Sequence, residues 1–572
     1  IVAGLVALLV LITALPAAAQ LDVLPDFCAP LADAPALSAD PTSAETLENS
    51  GLQLANGGDY ATAVILFSQA INVDEGLSTA YLYRACSYLA QEQNDSAYAD
   101  LETFITQTTD MEVFAEVQGY LEGAGVQVAD LACVVESEQF ASQDEARAFL
   151  VDFSPQDGPG YNQLGEANAC LGNTNEALRN YTQALEVAKS EATYFINRAM
   201  VFDELGRYSE ALADLNAAIN NDPDNAQAYF NRALIYFSLE DWDSVLADYN
   251  AALEVDPEFA RAYNGRGYLY TSQFGDNEAA LADYNAAIRF DPENALYWNN
   301  RGQLYLDFNE FLTALDDFEI AVDLEPTDPL YWNNLGFTHM QLDDYNAALA
   351  NLTQALVLDP AYSAALNNRG LTYWYLGNYD PCIEDYSTLL IVNPESSVAY
   401  NNRGLCYADL DQHERAVQDF NDALAFNPDD GITLGNRGTS LDALGRYDEA
   451  VEDFSRAIEL RPNDAYQWVG RGLAYDALGE VELAVADYTE AIAINPNYTS
   501  AYYWRGYAYS GLGDADAAIA DLEAYMELVP DTTLRDELEA EIERLESGSG
   551  GSGVSLRTLL GYDRLSRPVI WI

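Results

Sequence analysis

Pairs of neighbouring asparagines recur along this 572-residue sequence, for example in YWNNRGQLY at 297–305 and in YWNNLGFTH at 331–339. A carboxamide side chain offers two N–H donors and one acceptor oxygen. A row of such amides is able to hold the backbone of an extended peptide whatever its side chains are. The same amides are equally able to bond to a neighbouring segment of the protein itself. Both uses stay open, and the candidate peptide-binding residues are Asn264, Asn299, Asn300, Asn333, Asn334, Asn367, Asn368, Asn401, Asn402 and Asn436.

Residue types that carry out catalysis or bind metals are scarce. The sequence has two histidines and shows no Ser-His-Asp set, P-loop, GxGxxG or zinc motif. We therefore expect no enzyme activity, no catalytic residues, no cofactor and no metal site. The six cysteines lack metal-ligand spacing, and in an exported chain their even number permits disulfides. We expect Cys86 and Cys406 to be small buried residues at helix contacts, and Cys28 with Cys133 is the first disulfide to test.

One pattern organises most of the chain. A glycine or alanine returns every 34 residues, with one interval of 35 between Gly267 and Gly302 and one gap of 80 between Ala85 and Gly165. Each repeat has two runs of apolar residues at helical spacing, a glycine-containing turn between them and, in most repeats, a proline at its end. Self-similarity at this period predicts stacked helix pairs. We number the small residue as position 8; it is Gly51, Ala85, Gly165, Ala199, Ala233, Gly267, Gly302, Gly336, Gly370, Gly404, Gly438, Gly472 or Gly506.

These features resemble the tetratricopeptide repeat family. An aromatic residue or leucine stands four residues before the small residue, as at Trp298 and Tyr400, and an alanine often follows twelve residues after it, as at Ala211 and Ala450. The resemblance implies an all-α, right-handed superhelical solenoid of about 13 helix-turn-helix units with a C-terminal capping helix. It also implies a scaffold for protein-protein interaction, with protein or peptide partners.

An arginine at position 7 and an aspartate at position 23 occur together. Ten repeats have both residues, while the three repeats that lack the arginine also lack the aspartate and have Leu66, Asn180 or Asn351 at position 23. The turn lies near position 15, so positions 7 and 23 face each other in an antiparallel helix pair. We predict a partly buried, bidentate ion pair within each of the ten repeats.

The asparagines occupy positions 5 and 6. Their row resembles the asparagine ladder in the repeat region of O-linked N-acetylglucosamine transferases, which holds substrate peptides. The resemblance is confined to the ladder, because nothing in the sequence resembles a transferase catalytic domain. It implies that a superhelical groove binds extended peptide segments through these amides.

Charge and the first residues bear on partners and location. The formal net charge of −68 repels phosphate backbones, so nucleic acid is not expected as a partner. Residues 1–19 form an apolar run followed by Pro16 and three alanines, which predicts a secretory signal peptide with a truncated start. A retained membrane anchor is the rival interpretation. We expect an exported protein that is extracellular, periplasmic or on the cell surface, without stable membrane insertion after signal removal, and with possible glycosylation at Asn94 and Asn497.

The predicted boundaries follow from where the pattern starts, breaks and stops. They are a signal peptide at 1–19, an N-terminal segment at 20–43, two repeats at 44–104, a divergent helical insert at 105–157, eleven repeats at 158–530, a capping helix at 531–546, a Gly/Ser linker at 547–553 and a basic, apolar tail at 554–572.

The tail carries three arginines against one aspartate and is opposite in charge to the rest of the chain. It is interpreted as a peptide that docks on an acidic groove of its own or a neighbouring molecule, as an attachment to a surface or secretion partner, or as a fusion or out-of-frame translation. Docking on a neighbour is a head-to-tail contact. The alternative function is therefore a self-associating structural subunit of an extracellular fibre or surface layer. Docking would use Arg557, Arg564, Arg567 and Trp571.

Overall fold

A computed structural model gives the fold. It describes residues 44–56, 60–73, 78–91, 97, 100–101, 104, 155–530 and 532–547. Every regular element among these residues is a helix, so the predicted all-α class is confirmed. The chain groups into two compact units, Ile1–Ala365 and Leu366–Ile572.

The helices of the first unit alternate between the first and the second helix of successive repeats. They are α1 Ala44–Asn56, α2 Tyr60–Val73, α3 Ser78–Ala90, α4 Gly158–Cys170, α5 Thr174–Val187, α6 Ala192–Glu204, α7 Tyr208–Asn221, α8 Ala226–Ser238, α9 Trp242–Val255, α10 Ala260–Leu269, α11 Asn277–Phe290, α12 Ala295–Asp307, α13 Phe311–Leu324, α14 Pro329–Gln341 and α15 Tyr345–Leu358.

The second unit continues the same alternation and ends in a single helix. Its helices are α16 Ser363–Tyr375, which begins at the end of the first unit, α17 Tyr379–Val392, α18 Ser397–Asp409, α19 His413–Phe426, α20 Gly431–Ala443, α21 Tyr447–Leu460, α22 Ala465–Leu478, α23 Val481–Ile494, α24 Thr499–Leu512, α25 Ala515–Leu528 and α26 Arg535–Glu546.

Local sequence sets where these helices begin and how they turn. The side chain of Asn294, before α12, accepts a hydrogen bond from the backbone N–H of Leu296. Before α14, the side chain of Asp328 accepts one from the backbone N–H of Leu330. The turn residue at position 15 has a positive φ, as at Gly206 with φ 66° and Asp343 with φ 59°. Glycine adopts this conformation at little cost, whereas aspartate accepts some strain.

The two helices of a repeat meet at position 8. A β-carbon on Gly302 would lie 2.9 Å from the ring of Phe318, so only a small residue fits. Phe318 is fully buried between Ala314 and Ala321 on α13, and this cluster includes Tyr331 of the following repeat. Burying one such aromatic side chain contributes about 1.5–3 kcal/mol. The predicted packing role of the small residue is confirmed.

The extra residue of the 35-residue interval has a specific place. Helix α10 ends at Leu269 and continues as one π-helical turn, Tyr270–Phe274, before Gly275 closes the turn with φ 64°. Insertion of a residue into a helix that must keep its packing face is commonly absorbed in this way, and such turns are frequent at functional sites.

The predicted capping helix corresponds to α26. Its Leu538 is completely buried and packs against Tyr503, Leu522 and Tyr525 of the last repeat. Because α26 has a polar outer face, it ends the stack without leaving the apolar face of the last repeat uncovered.

One expectation for the cysteines is wrong. Cys406 is buried, as expected, but it forms a disulfide with Cys382, with the two Cα atoms 6.4 Å apart. Cys86 is buried and also disulfide-bonded. Cys382 lies on α17 and Cys406 on α18, so the pair joins consecutive repeats. Helix packing brings together two positions that their sequence spacing did not single out.

Several predictions concern residues outside the described part of the chain. They are the signal peptide, the segment 20–43, residues 105–154 of the insert, the linker beyond residue 547, the glycosylation site Asn94, the pair Cys28 and Cys133, and the tail with Arg557, Arg564, Arg567 and Trp571.

Candidate functional site

The predicted arginine–aspartate pairs are present in all ten repeats. Arg301 on α12 donates from Nε to Oδ2 of Asp317 on α13 at 2.8 Å and from Nη2 to Oδ1 at 2.7 Å. The same bidentate geometry recurs in Arg84–Asp100, Arg198–Asp214, Arg232–Asp248, Arg266–Asp283, Arg369–Asp385, Arg403–Asp419, Arg437–Asp453, Arg471–Asp487 and Arg505–Asp521.

Nine of these arginines also donate a hydrogen bond from Nη1 to a side chain of the preceding repeat. Arg301 Nη1 lies 2.6 Å from Oδ1 of Asn285, at position 25 of that repeat. The partner is always Ser, Thr or Asn, whereas position 25 is Glu319 before the repeat that has Leu335 in place of the arginine. This contact was not predicted from the sequence, although the residue type at position 25 changes together with the arginine of the next repeat. The partners are Ser68, Thr182, Asn216, Asn250, Asn285, Ser387, Asn421, Ser455 and Thr489.

The pairs are enclosed by aromatic rings. The guanidinium of Arg301 lies 4.9 Å from the ring centroid of Trp298 and 5.8 Å from that of Tyr305. The side chain of Asp317 is 3% exposed and that of Arg301 17%. These arginines are therefore occupied by the repeat itself and are not a binding surface.

Burial raises the pKa of Asp317 above its usual value, and the hydrogen bond and charge of Arg301 offset this only in part. Burial alone would lower the pKa of Arg301, but the Asp317 carboxylate raises it, so the guanidinium stays charged. The pKa values of Asp385, Asp419 and Asp487 are raised for the same reason. The raised pKa values of these four carboxylates make the stability of their repeats depend on pH.

We predict that the protein melts at a higher temperature at pH 5 than at pH 8. A carboxyl group whose pKa is raised on folding contributes stability that is fully present below its unfolded pKa of about 3.9 and is lost as pH rises through its folded pKa. Acidification also reduces the repulsion within a chain of charge −68. Circular dichroism melts in low salt and in 1 M NaCl check this. High salt screens surface repulsion, so the remaining difference reports the buried aspartates. A melting temperature that falls steadily from pH 8 to pH 5 would contradict the prediction.

The asparagines of the first unit bond to one another. The Nδ2 of Asn300 donates to Oδ1 of Asn264 at 2.9 Å, and Nδ2 of Asn334 donates to Oδ1 of Asn299 at 2.8 Å. Within one helix, Nδ2 of Asn299 donates to Oδ1 of Asn300 at 3.4 Å, and Asn333 donates to Asn334 at 3.2 Å. Position 6 therefore bonds to position 5 of the preceding repeat, and position 5 bonds to position 6 of its own helix.

The second unit follows the same scheme with one exception. Asn367 donates to Asn368 and Asn401 to Asn402 within their helices, and Asn436 donates to Oδ1 of Asn401 in the preceding repeat at 2.9 Å. Asn402 instead donates to the hydroxyl of Tyr386 at 3.2 Å. The Oδ1 atom of Asn367 is buried there without a hydrogen-bond partner.

Burial supports the structural use of these amides. Asn299 and Asn333 are 5% exposed and Asn436 is 4% exposed. In the hydrogen bonds described above, the partner of each asparagine amide is another side chain. A peptide-binding role of the ten asparagines stays a prediction, and the geometry restricts it to the donors that the ladder leaves unused.

Asn264 has such a donor. The residue after it is Gly265, where the later asparagine-containing repeats have the position-6 amide that accepts from position 5. The oxygen of Asn264 accepts from Asn300, but its amide nitrogen makes no hydrogen bond to any described residue. Asn264 is also only partly buried.

A cavity of about 440 Å³ lies beside this amide in the first unit. It is bounded by α8, α9, α10 and α12, and its walls are mostly aromatic and aliphatic side chains. Tyr268 is 49% exposed and Leu296 is 42% exposed, so these two lining residues also face solvent. The lining residues are Phe230, Leu234, Phe237, Tyr249, Arg261, Asn264, Gly265, Tyr268, Asn294, Leu296, Tyr297 and Asn300.

The residues that the structure describes also bear on metal binding and membrane insertion. No group of three or more His, Cys, Asp or Glu in that part of the chain is arranged to hold a metal ion. None of the described helices combines the length and apolar character that crossing a bilayer requires. Asn497, a predicted glycosylation site, is exposed in the turn before α24.

Comparison with protein families agrees with the repeat pattern. Models described as TPR repeat or tetratricopeptide repeat together match about half of the chain, and the matched residues are 200–240, 226–259, 273–307, 329–362, 363–395, 397–430, 432–464, 472–513 and 499–532. No curated protein matches the sequence.

Several solved structures are similar to parts of this chain. A tetratricopeptide repeat protein from Parabacteroides merdae is 22% identical, with 44% of this chain and 98% of that chain covered and a TM-score of 0.37. YrrB, described as a TPR protein with an unusual peptide-binding site, is 25% identical, with 32% and 95% covered and a TM-score of 0.29. Yeast Tom70 is 15% identical, with 68% and 95% covered and a TM-score of 0.34. Together, the family matches and the described helix pairs identify the chain as a member of the tetratricopeptide repeat family.

Proposed function

We propose that the protein is an exported, non-enzymatic scaffold that holds extended peptide segments on the face formed by the first helices of its repeats. Tetratricopeptide repeat proteins are generally non-enzymatic scaffolds that bind protein or peptide partners. The proposal adds a location on the molecule and a class of ligand to that general role.

The cavity between α8, α10 and α12 is the observation that carries the proposal. Apolar walls with a few polar groups at the edge are typical of sites that enclose part of a ligand. The polar groups here include the free amide nitrogen of Asn264, which is suited to a peptide carbonyl oxygen. An extended peptide lying across successive first helices would place a side chain in the cavity and its backbone beside this amide.

The charge of the protein narrows the class of peptide. A chain of net charge −68 repels acidic segments and attracts basic ones over long range. We therefore propose that the favoured ligands are basic peptides with apolar side chains, a composition that the chain's own residues 554–572 share.

Export remains part of the proposal. The disulfide between Cys382 and Cys406 supports it, because disulfides persist in oxidising compartments and are rare in the cytosol.

Replacing Leu296 with aspartate tests the proposed site. The change places a charge at the wall of the cavity without touching the ladder, and we expect it to weaken peptide binding about tenfold or more. The probes are a fluorescein-labelled peptide of residues 554–572 and a set of basic, proline-containing peptides with one central apolar residue, and the measurement is fluorescence anisotropy with the full chain. Leu312→Asp is the matched control because Leu312 is 69% exposed and lies on α13, outside the cavity. Equal binding by the two variants would refute the proposed site.

A further inference from the structure

The repeat that contains α10 and α11 departs from its neighbours in three ways. It has Gly265 at position 6, it contains the π-helical turn Tyr270–Phe274, and it exposes nearly half of Tyr268. Gly265 and Tyr268 both line the cavity, and the π-helical turn begins two residues after Tyr268. Departures from a repeated pattern that meet at one place are a sign of function.

Gly265 allows the ring of Tyr249 to lie close against the backbone of α10. A β-carbon at residue 265 would lie 2.7 Å from that ring, so a side chain here would compete for the volume of the cavity. In a later repeat the corresponding Asn402 lies against Tyr386 and bonds to its hydroxyl. An asparagine at position 6 is therefore compatible with a tyrosine at position 24, whereas glycine at 265 adds no side chain to the wall of the cavity.

The walls favour a particular guest. Five aromatic rings line the cavity, and aromatic pairs gain energy beyond that of area burial alone. Tyr297 is 2% exposed, and its buried hydroxyl has no hydrogen-bond partner among the described residues. Burial raises the pKa of Tyr297 to about 12, so this hydroxyl keeps its proton and is able to donate to a polar atom of a guest.

We propose that the cavity is a specificity socket for one bulky aromatic side chain of the bound peptide, with Gly265 as a wall position that carries no side chain. The inference rests on the proposed function and adds the class of side chain that the scaffold selects. The amide nitrogen of Asn264 donates to the backbone carbonyl beside the aromatic residue, which fixes the register of the peptide.

The test compares peptides that differ in one residue. Basic, proline-containing, fluorescein-labelled peptides carry Trp, Phe, Leu or Ala at one central position, and anisotropy gives their affinities for the full chain. We expect the wild-type protein to bind the Trp peptide about tenfold more tightly than the Ala peptide. In Gly265→Asn this preference falls below about threefold because the new side chain fills the socket.

Two further variants keep the test independent of folding. Gly511→Asn makes the same change on α24, at an exposed site with open space around it, and is expected to keep the wild-type preference. Tyr268→Ala removes an exposed wall of the socket and is expected to reduce the aromatic preference even if Gly265→Asn fails to fold. If Tyr268→Ala and a folded Gly265→Asn both keep the preference, the socket is refuted while the scaffold function stands. If no peptide binds the wild-type protein, the proposed function and this inference both fail.

Discussion

Replacing Asp317 with alanine is expected to lower the free energy of unfolding of its part of the array by about 3–5 kcal/mol. The carboxylate accepts two hydrogen bonds from Arg301 in a site where the aspartate side chain is 3% exposed. Its removal leaves a guanidinium enclosed by Trp298 and Tyr305 without its counter-charge. Urea denaturation followed by circular dichroism measures the loss, and hydrogen exchange of α12 and α13 locates it.

Three variants serve as controls for this prediction. Asp316→Ala removes an exposed carboxylate at the adjacent position and is expected to change stability by less than about 0.5 kcal/mol. Asn300→Ala loses one amide hydrogen bond and is expected to cost about 0.5–1.5 kcal/mol. The double change Arg301→Leu with Asp317→Asn reproduces the combination found naturally at Leu335 and Asn351, so it is expected to recover much of the loss. If Asp317→Ala and Asn300→Ala destabilise equally, the ion pair is not the dominant contact.

Replacing both Cys382 and Cys406 with alanine is expected to lower the free energy of unfolding by about 2–4 kcal/mol, because the cross-link restricts the unfolded chain over a sequence separation of 24 residues. Cys382 occupies position 20, which is alanine at Ala314, Ala348 and Ala416. Alanine therefore fits that site, and the decrease in the free energy of unfolding comes mainly from removal of the cross-link. Urea denaturation in the absence of reductant measures it.

The comparison of the wild type and the double cysteine variant is repeated with and without reductant. In the double variant, the hydrogen-exchange protection of α17 and α18 is expected to be lost at the same urea concentration with and without reductant. The wild-type protein is expected to lose protection there only after reduction. Since both sulfur-bearing residues are fully buried, reduction is expected to need partial unfolding. Equal stability of the oxidised wild type and the double variant would show that the disulfide adds nothing.

The arginine–aspartate pairs were predictable because one chain contains many copies of the same helix pair. Residues equidistant from a turn face each other, and the joint loss of arginine and aspartate in three repeats identified the partners. The third contact, from Arg301 to Asn285, follows the same kind of covariation but between repeats. It was missed because position 25 of the preceding repeat was not compared with the arginine.

The role of the asparagines was not decidable in the same way. Both uses predict asparagine at the same positions. An amide that holds a peptide and an amide that bonds to its neighbour both depend on donors and acceptors that face along the array. Only the distances show that Asn300 bonds to Asn264 and Asn334 to Asn299. They also show that Gly265, which carries no side chain, is the place where the ladder leaves a donor free.

The sequence by itself determined the repeat, the helix pair, the small residue at position 8 and the ion pair, because each of these depends on short-range periodicity repeated many times. Tertiary structure alone decided the partner of Cys406, the use of the amides and the existence of the cavity. Those features depend on how side chains of successive repeats meet. A contact of this kind is made by only a few residues, so it leaves little periodic signal in the sequence.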